Sequence, residues 1–272
     1  MRALPVVEGQ LIVSVSQLKT WTMCPRKYEL HYVRGLPPAF KPVALAFGIA
    51  FHAAVGRYYS GIQSKGEAPT LEVIAQTFRD SWQVQLEGKT PPLQVDEEED
   101  LGGIVDLGIK MLGVFHTHAA GRVVHVESIE QAFAVDLHDP ESGEILEEKL
   151  VGFFDLVLRE QERRVVVELK TSARRYTQDQ VAFDLQPSAY KFATEEMGWA
   201  GATLRYAIVT KTKSPVVQEE ELLRGPLARD DFLRTAVGVL RAIDAGVSFP
   251  LRGWQCRTCP FKVPCETLGS RS

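Results

Sequence analysis

Residues 151–171 have the sequence VGFFDLVLREQERRVVVELKT, and this pattern predicts a β-hairpin. Two runs rich in β-branched and aromatic residues flank a charged segment, residues 160–163, which is the predicted turn. With a symmetric turn, Asp155 on the first strand lies opposite Glu168 on the second. Lys170 projects from the same face as Glu168, because side chains alternate with period two along a strand. The hairpin is therefore expected to gather two acids and one amine at one point.

Two carboxylates that face each other inside apolar strands need a compensating positive charge. Opposed residues of antiparallel strands have Cβ atoms about 4.5 to 5.5 Å apart, where like charges are destabilising. A divalent cation would compensate both acids, since Mg²⁺ prefers oxygen ligands and commonly takes one or two carboxylates. The alternative is a structural salt bridge between Lys170 and one carboxylate. The hairpin alone leaves both interpretations open.

The composition of the chain indicates a soluble globular protein. Its 272 residues are 45% hydrophobic and 24% charged, with a net charge of -4, and a chain of this length can bury a core without disulfides. Its longest apolar stretch, residues 43–56, is shorter than the roughly 20 residues that cross a bilayer. The N-terminus lacks the features of a secretion signal. We therefore expect a cytoplasmic protein with no membrane partner, and the sequence shows no P-loop for ATP.

Charge is unevenly distributed along the chain. Residues 14–42 carry five basic side chains and one acid, and the tail from residue 251 carries four basic side chains and one acid, whereas residues 96–100 form an acidic run. The basic ends are either ordinary solvated surface or an anion-binding face.

Hydrophobic periodicity predicts a mixed α/β (α+β) fold in one domain, residues 1–272. Ser16 is the expected N-cap of the first helix. Within the domain we expect a helical insertion (62–120) and a sheet core (121–222). The predicted helices cover residues 16–30, 43–60, 70–87, 98–119, 178–197 and 227–245. The predicted strands cover residues 122–136, 146–158, 164–170, 202–210 and 215–222.

The four cysteines suit a single thiolate site. Cys256, Cys259 and Cys265 lie in the segment WQCRTCPFKVPC (254–265), and Cys24 is their distant partner. Four thiolates bind either an iron-sulfur cluster or a tetrahedral Zn²⁺, and their spacing does not choose between the two. Without a secretion signal, a disulfide framework is the poorer explanation.

The order of these elements resembles the PD-(D/E)xK nuclease superfamily. Asp155 matches the first acid of its motif, and Glu168, Leu169 and Lys170 match the E-x-K element. This short motif is degenerate, and the family more often has Asp at the position of Glu168. The resemblance implies a restriction-endonuclease-like core, a central mixed sheet flanked by helices.

Two further elements strengthen the resemblance. Gln186 and Tyr190, four residues apart and hence on one helix face, resemble the Q-x-x-x-Y element of RecB-type nucleases. The segment GIAFH (48–52) resembles their G-x-x-x-H element, which ends here at His52. Taken singly, such a His is more often a packed core residue and such a Gln–Tyr pair a surface contact. Pro187 also suggests that the helix starts or kinks at this point.

The segment SQLKTWTMCPRKY (16–28) resembles the first-ligand segment of iron-sulfur nucleases, which include AddB-type recombination subunits and CRISPR-associated exonucleases. The resemblance implies a C-terminal cysteine-rich segment (250–266) and favours a 4Fe-4S cluster over zinc. The implied cluster ligands are Cys24, Cys256, Cys259 and Cys265.

The resemblance also implies a chemistry for the site. It assigns Mg²⁺ or Mn²⁺ to His52, Asp155, Glu168 and the backbone carbonyl of Leu169. Lys170 would activate water, and Gln186 and Tyr190 would complete the catalytic set as positioning residues.

The implied activity is hydrolysis of DNA to 5′-phosphate products, as an exonuclease on single-stranded ends or overhangs. The expected partners are proteins of DNA repair, phage recombination or CRISPR adaptation. Two alternatives remain open: a sequence-specific endonuclease, and a non-catalytic iron-sulfur subunit that binds DNA in a larger complex.

Overall fold

A computed structural model describes residues 6–7, 9–88, 91–95, 100–122, 124–199 and 201–269. A mixed sheet lies between two helical layers, which confirms the predicted fold class. In the described part of the chain, no helix has the length and apolarity needed to span a bilayer.

The sheet has seven strands, and two further strands form a separate short pair. The strands are β1 (Val6–Val7), β2 (Gln10–Ser14), β3 (Lys41–Pro42), β4 (Leu93–Gln94), β5 (His125–His138), β6 (Ile145–Glu160), β7 (Arg163–Ser172), β8 (Thr203–Thr210) and β9 (Val217–Glu221). The main sheet has the order β1-β2-β6-β7-β8-β9, with β5 also paired to β6. The pairs β2–β6 and β7–β8 are parallel, and the other pairs in this sheet are antiparallel.

The helices cover both faces of this sheet. They are α1 (Val15–Met23), α2 (Pro25–Tyr28), α3 (Val43–Lys65), α4 (Leu71–Glu87), α5 (Leu101–Ala120), α6 (Gln178–Ala182), α7 (Leu185–Glu196), α8 (Pro226–Asp244) and α9 (Lys262–Gly269). A π-helical turn (Glu29–Val33) and a 3-10 turn (Trp254–Cys256) complete the regular structure.

The start of the first helix differs from the prediction. Ser14, not Ser16, is the N-cap: its hydroxyl accepts from the backbone N–H of Gln17, and the Gln17 side chain accepts from the backbone N–H of Ser14. The helix ends at Met23 because Cys24 is extended, as a residue before proline prefers to be. The single helix predicted over 16–30 is therefore wrong, and Cys24 lies at the break.

The predicted helix over 178–197 is also two helices. Phe183 and Asp184 interrupt it, and the Asp184 carboxylate accepts from the backbone N–H of Gln186 at 3.0 Å to cap α7. Pro187 lies in the first turn of α7, where proline is tolerated. The expected helix start at the Gln186–Pro187 pair is confirmed.

Two cores lie on the opposite faces of the sheet. One packs α1, α7 and α8 against residues such as Phe154, Val157 and Ile208. The other packs α3, α4 and α5 against residues such as Leu156 and Leu158. The segment 62–120 thus supplies much of one helical layer. It is not entirely helical, because β4 interrupts it and pairs with β3.

Two details bear on the sequence predictions. The strand β2 was not predicted, and it pairs with the first half of β6. The acidic residues 96–99 lie outside the described residues, while Asp100 caps α5 by accepting from the backbone N–H of Gly103 at 2.9 Å.

Candidate active site

The central hairpin has the predicted register. Its pairs run from Glu160 opposite Arg163 to Leu156 opposite Val167, so a two-residue turn closes it. At the end of this ladder the Asp155 side chain takes the place of a backbone partner: its Oδ2 accepts from the Leu169 N–H at 2.7 Å. The first acid is thereby fixed against the strand that carries the E-x-K residues.

Glu168 lies at the centre of a closed hydrogen-bond network. Its Oε1 accepts from Lys170 Nζ at 2.5 Å and from Gln186 Nε2 at 2.9 Å. Its Oε2 lies 2.8 Å from the Tyr190 hydroxyl. Lys170 also donates to Gln186 Oε1 at 3.0 Å. The sequence-predicted residues of the hairpin and of α7 therefore come together, and both oxygens of the buried Glu168 carboxylate have partners.

Aromatic packing holds Tyr190 in place. Its ring meets Phe154 edge-on at 4.9 Å and Phe133 at 6.0 Å, while its hydroxyl lies 2.7 Å from the Phe153 carbonyl oxygen. The single hydroxyl proton can serve either this carbonyl or Glu168. Gly152 is needed nearby, because a Cβ there would lie 2.6 Å from the Phe133 ring. Gly152 was missed in the sequence analysis, although a glycine inside an apolar strand often marks such a close approach.

The electrostatics of the cluster reflect two acids with one amine. Burial, followed by the Glu168 carboxylate, raises the pKa of Asp155 to about 7. Burial works to lower the pKa of Lys170, but the Glu168 carboxylate outweighs it and the pKa rises. Lys170 is therefore charged at neutral pH.

His52 approaches the cluster from α3. Its Nδ1 lies 3.7 Å from Asp155 Oδ1. Burial lowers the pKa of His52 against the opposing effect of Glu168. The neutral imidazole, which is the form that binds metals, is therefore favoured at neutral pH.

The donor set has the chemistry that a divalent cation requires. Two carboxylates, one imidazole and a backbone carbonyl supply mainly hard oxygen ligands, and a cation would relieve the repulsion that raises the pKa of Asp155. Among the described residues, no three His, Cys, Asp or Glu side chains already lie at metal-holding spacing. A bound ion would thus have to draw these donors together.

The strand opposite Asp155 is distorted. Glu130 has a φ of 50°, and it lies between the pairs Ile129–Leu156 and Gln131–Phe154. Left-handed backbone is uncommon for a residue such as Glu. Phe154 and Leu156 would share a face in a regular strand, yet they belong to opposite cores. The strand therefore changes face at Asp155, and backbone strain of this kind clusters at functional sites.

The four cysteines line one cavity of about 210 Å³. Cys24 lies between α1 and α2, and the other three follow α8 in the C-terminal tail; all four thiols are free. Burial is the main cause of a raised pKa for the Cys265 thiol, and Cys24 and Cys259 also raise it. The basic residues Lys27, Arg252 and Lys262 line the same cavity. Both basic chain ends are thus brought together around the thiols.

Backbone hydrogen bonds attach the tail to the N-terminal segment. The Arg26 N–H donates to the Phe249 carbonyl, and the Ala39 N–H donates to the Pro260 carbonyl, each at 3.1 Å. Phe249 precedes the three tail cysteines and Pro260 lies among them, so the bonds hold this segment against the N-terminal part of the chain.

The comparisons with known proteins identify the family of this chain. The family model of the PD-(D/E)XK nuclease superfamily matches residues 12–266, and the chain belongs to this superfamily. Its mixed sheet between helical layers is consistent with the restriction-endonuclease-like fold, and its membership supports a nuclease. No match to a curated protein was found.

Two solved structures are similar to this chain. A "putative exonuclease" from Eubacterium rectale has 13% sequence identity and a TM-score of 0.54, with coverage of 93% of this chain and 86% of that one. The protein SSO0001 has 16% identity and a TM-score of 0.47, with coverage of 97% and 89%. At such identities the likeness concerns the fold alone.

Proposed function

We propose that this chain is a deoxyribonuclease that uses Mg²⁺ or Mn²⁺ and hydrolyses phosphodiester bonds at the Asp155–Glu168–Lys170 cluster. The observation that carries the proposal is the convergence of two acids and a lysine, with both Glu168 oxygens and the lysine amine held by neighbouring side chains. A structural salt bridge would explain Lys170 and Glu168. It would not explain a second buried acid whose pKa is raised to about 7.

Each side chain has a proposed role. Asp155 and Glu168, with His52 and the Leu169 carbonyl, would hold the cation. When bound, the cation would polarise the phosphoryl oxygen and acidify water. The charged Lys170 amine would orient the attacking water or stabilise negative charge that develops on the phosphate. Gln186 and Tyr190 would hold the side chains of Lys170 and Glu168 in position.

A group of basic side chains without a carboxylate partner among the described residues supports a polyanionic substrate. Beyond the carboxyl ends of β7 and β8, the Lys211 N–H donates to the Ser172 carbonyl at 2.6 Å, and Lys110 donates to the Lys213 carbonyl. In the part of the chain that the structure describes, we find no carboxylate paired with the basic side chains here. These are Lys110, Arg174, Arg175, Lys211 and Lys213. Their charge is available for phosphates, despite the acidic total.

The finer features of the function rest on the resemblance. We propose an exonuclease on single-stranded DNA ends or overhangs, acting with proteins of repair, phage recombination or CRISPR adaptation. We also propose a 4Fe-4S cluster on Cys24, Cys256, Cys259 and Cys265, with Zn²⁺ as the alternative occupant. The shared cavity and its basic lining support this part of the proposal.

The test is incubation with end-labelled single-stranded and double-stranded linear DNA and a closed circle, with Mn²⁺ and with or without EDTA. We expect metal-dependent shortening of the linear single strand from an end. Cleavage of the circle would instead indicate an endonuclease. Binding without any cleavage, in freshly purified protein with its cofactor, would overturn the proposal in favour of a non-catalytic subunit.

A further inference from the structure

An uncovered part of the sheet leads away from the acid cluster. Lys149, Val151 and Phe153 alternate along β6 on the face opposite the buried Leu150 and Phe154. Their register partners complete this face. These partners are Ile12 and Ser14 on β2, and Ala132 and Ala134 on β5. The resulting groove has a volume of about 880 Å³ and reaches Asp155, Glu168, Gln186 and Tyr190.

Phe153 is the most unusual side chain in this groove. It is 62% exposed, although it lies in the middle of a strand and only two residues before Asp155. Its partner on β5 is the small Ala132, which leaves the ring accessible. The Phe153 carbonyl lies within hydrogen-bond distance of the Tyr190 hydroxyl, so the backbone that carries the ring is tied to the cluster. Burial of such a side chain would stabilise the fold by about 1.5 to 3 kcal/mol, and the exposed ring forgoes this stabilisation.

The groove is unsuited to a phosphate chain. Among its described lining residues, Lys149 is the basic side chain, and it is neutralised by Asp136 at 2.6 Å. Apart from Asp155 and Glu168 at the cluster end, the remaining lining is apolar or neutral polar. The basic group formed by Lys110, Arg174, Arg175, Lys211 and Lys213 lies instead beyond β7 and β8. The acid cluster is therefore bordered by an apolar groove along β6 and by basic side chains beyond β7 and β8.

We propose that this groove, which we call the β6 groove, binds unpaired nucleobases next to the scissile phosphate, with Phe153 as the stacking surface. The inference rests on the proposed nuclease function and adds a substrate feature to it. Stacking of a base on an aromatic ring tolerates any base identity. A base inside a duplex is already stacked and paired, so the groove would select frayed or single-stranded ends.

The test compares Phe153→Ala, Phe153→Trp and the wild-type protein. The matched control is Phe183→Ala, because Phe183 is 84% exposed and lies on the α6–α7 link outside the β6 groove. Each protein receives a labelled single strand and the same strand with abasic residues around the cleaved bond. Binding is measured by anisotropy in EDTA, and cleavage is measured in Mn²⁺.

We expect Phe153→Ala to weaken binding of the normal strand and to raise its KM by roughly tenfold, the size of one lost base–aromatic stack. Phe153→Trp should bind the normal strand with the affinity and KM of the wild type, and Phe183→Ala should also match the wild type. The abasic strand should bind all four proteins alike. An unchanged Phe153→Ala protein, or an equal loss on the abasic strand, would overturn the inference. A base-dependent binding loss without cleavage by the wild type would support the groove and refute the nuclease proposal.

Discussion

The acid cluster and the cysteine cavity are organised in opposite ways. At the acid cluster, the oxygens of Glu168 and the amine of Lys170 are bound by other side chains. At the cysteine cavity, the four thiols are partly exposed, and the Cys256 sulfur makes a long contact of 3.9 Å to the Leu251 carbonyl. The protein itself fixes the first site. The thiols of the second lack such a network among the described residues, and backbone hydrogen bonds hold the segments that carry them.

This difference predicts separate consequences for damage at the two sites. Loss of a group in the acid cluster should impair chemistry with a small effect on folding. Loss of a thiol should loosen the attachment of the tail while the hairpin stays intact.

Cys24→Ser should cause the largest loss of stability. A ligand that joins Cys24 to the tail closes almost the whole chain into a loop, and the loop-closure model assigns roughly 5 kcal/mol to such a link. We expect a large fall in the thermal midpoint of anaerobically prepared protein, together with loss of bound metal. The control is Thr258→Ala, which alters the cavity lining without removing a thiol. Equal midpoints and metal contents for Cys24→Ser and the wild type would show that this cavity holds no structural ligand.

Tyr190→Phe should lower the catalytic rate while causing only a small loss of stability. The variant removes the hydroxyl that lies 2.8 Å from Glu168 Oε2. Tyr206→Phe is the matched control, because the buried Tyr206 hydroxyl donates to Asp184 at 2.9 Å, outside the catalytic set. Each variant should lose about 1 to 2 kcal/mol of unfolding free energy. Only Tyr190→Phe should lower kcat, by roughly tenfold. Similar kcat values for the two variants would contradict the positioning role.

Glu29→Gln should give the smallest effect, and one that depends on pH. Burial opposes ionisation of Glu29, but Ser248, Arg34 and Arg26 outweigh it and lower its pKa. Because the folded-state pKa of Glu29 is lowered, ionised Glu29 stabilises the protein at pH values above its ordinary pKa of 4.5. This contribution disappears as the pH falls through the folded-state pKa. In urea unfolding, the wild type should therefore be more stable than Glu29→Gln near pH 6. The two should converge in acid.

The control for this prediction is Glu72→Gln, since the Glu72 side chain is 78% exposed in its pair with Arg79. It should follow the wild type at every pH. A pH-independent gap between the wild type and Glu29→Gln would show that packing, and not charge, is responsible.

The sequence was most informative where a local rule determines the geometry. The period of two and the short charged turn were enough to fix the hairpin register, and hence the meeting of Asp155 and Glu168. The resemblance then selected His52, Gln186 and Tyr190, which the fold brings to the same place. Pro187 correctly indicated the start of α7.

Other features depend on the tertiary fold and had no local signal. Phe153 belongs to an apolar stretch that looks uniformly buried, yet it is 62% exposed in the fold. Glu130 carries no sequence signature of left-handed backbone. The helix cap is an exception: Gln17 follows Ser14 at the spacing of a capping box, whereas Lys19 follows Ser16, so the local sequence did favour Ser14.

The most direct test of the account is the rate at which Asp155→Asn cleaves a labelled single strand in Mn²⁺, relative to the wild type. Asparagine keeps an acceptor for the Leu169 N–H but removes the buried charge. We predict a fall of at least about a hundredfold in rate, with a thermal midpoint no lower than that of the wild type. A variant that cleaves at the wild-type rate would contradict the assignment of this cluster as the site of hydrolysis.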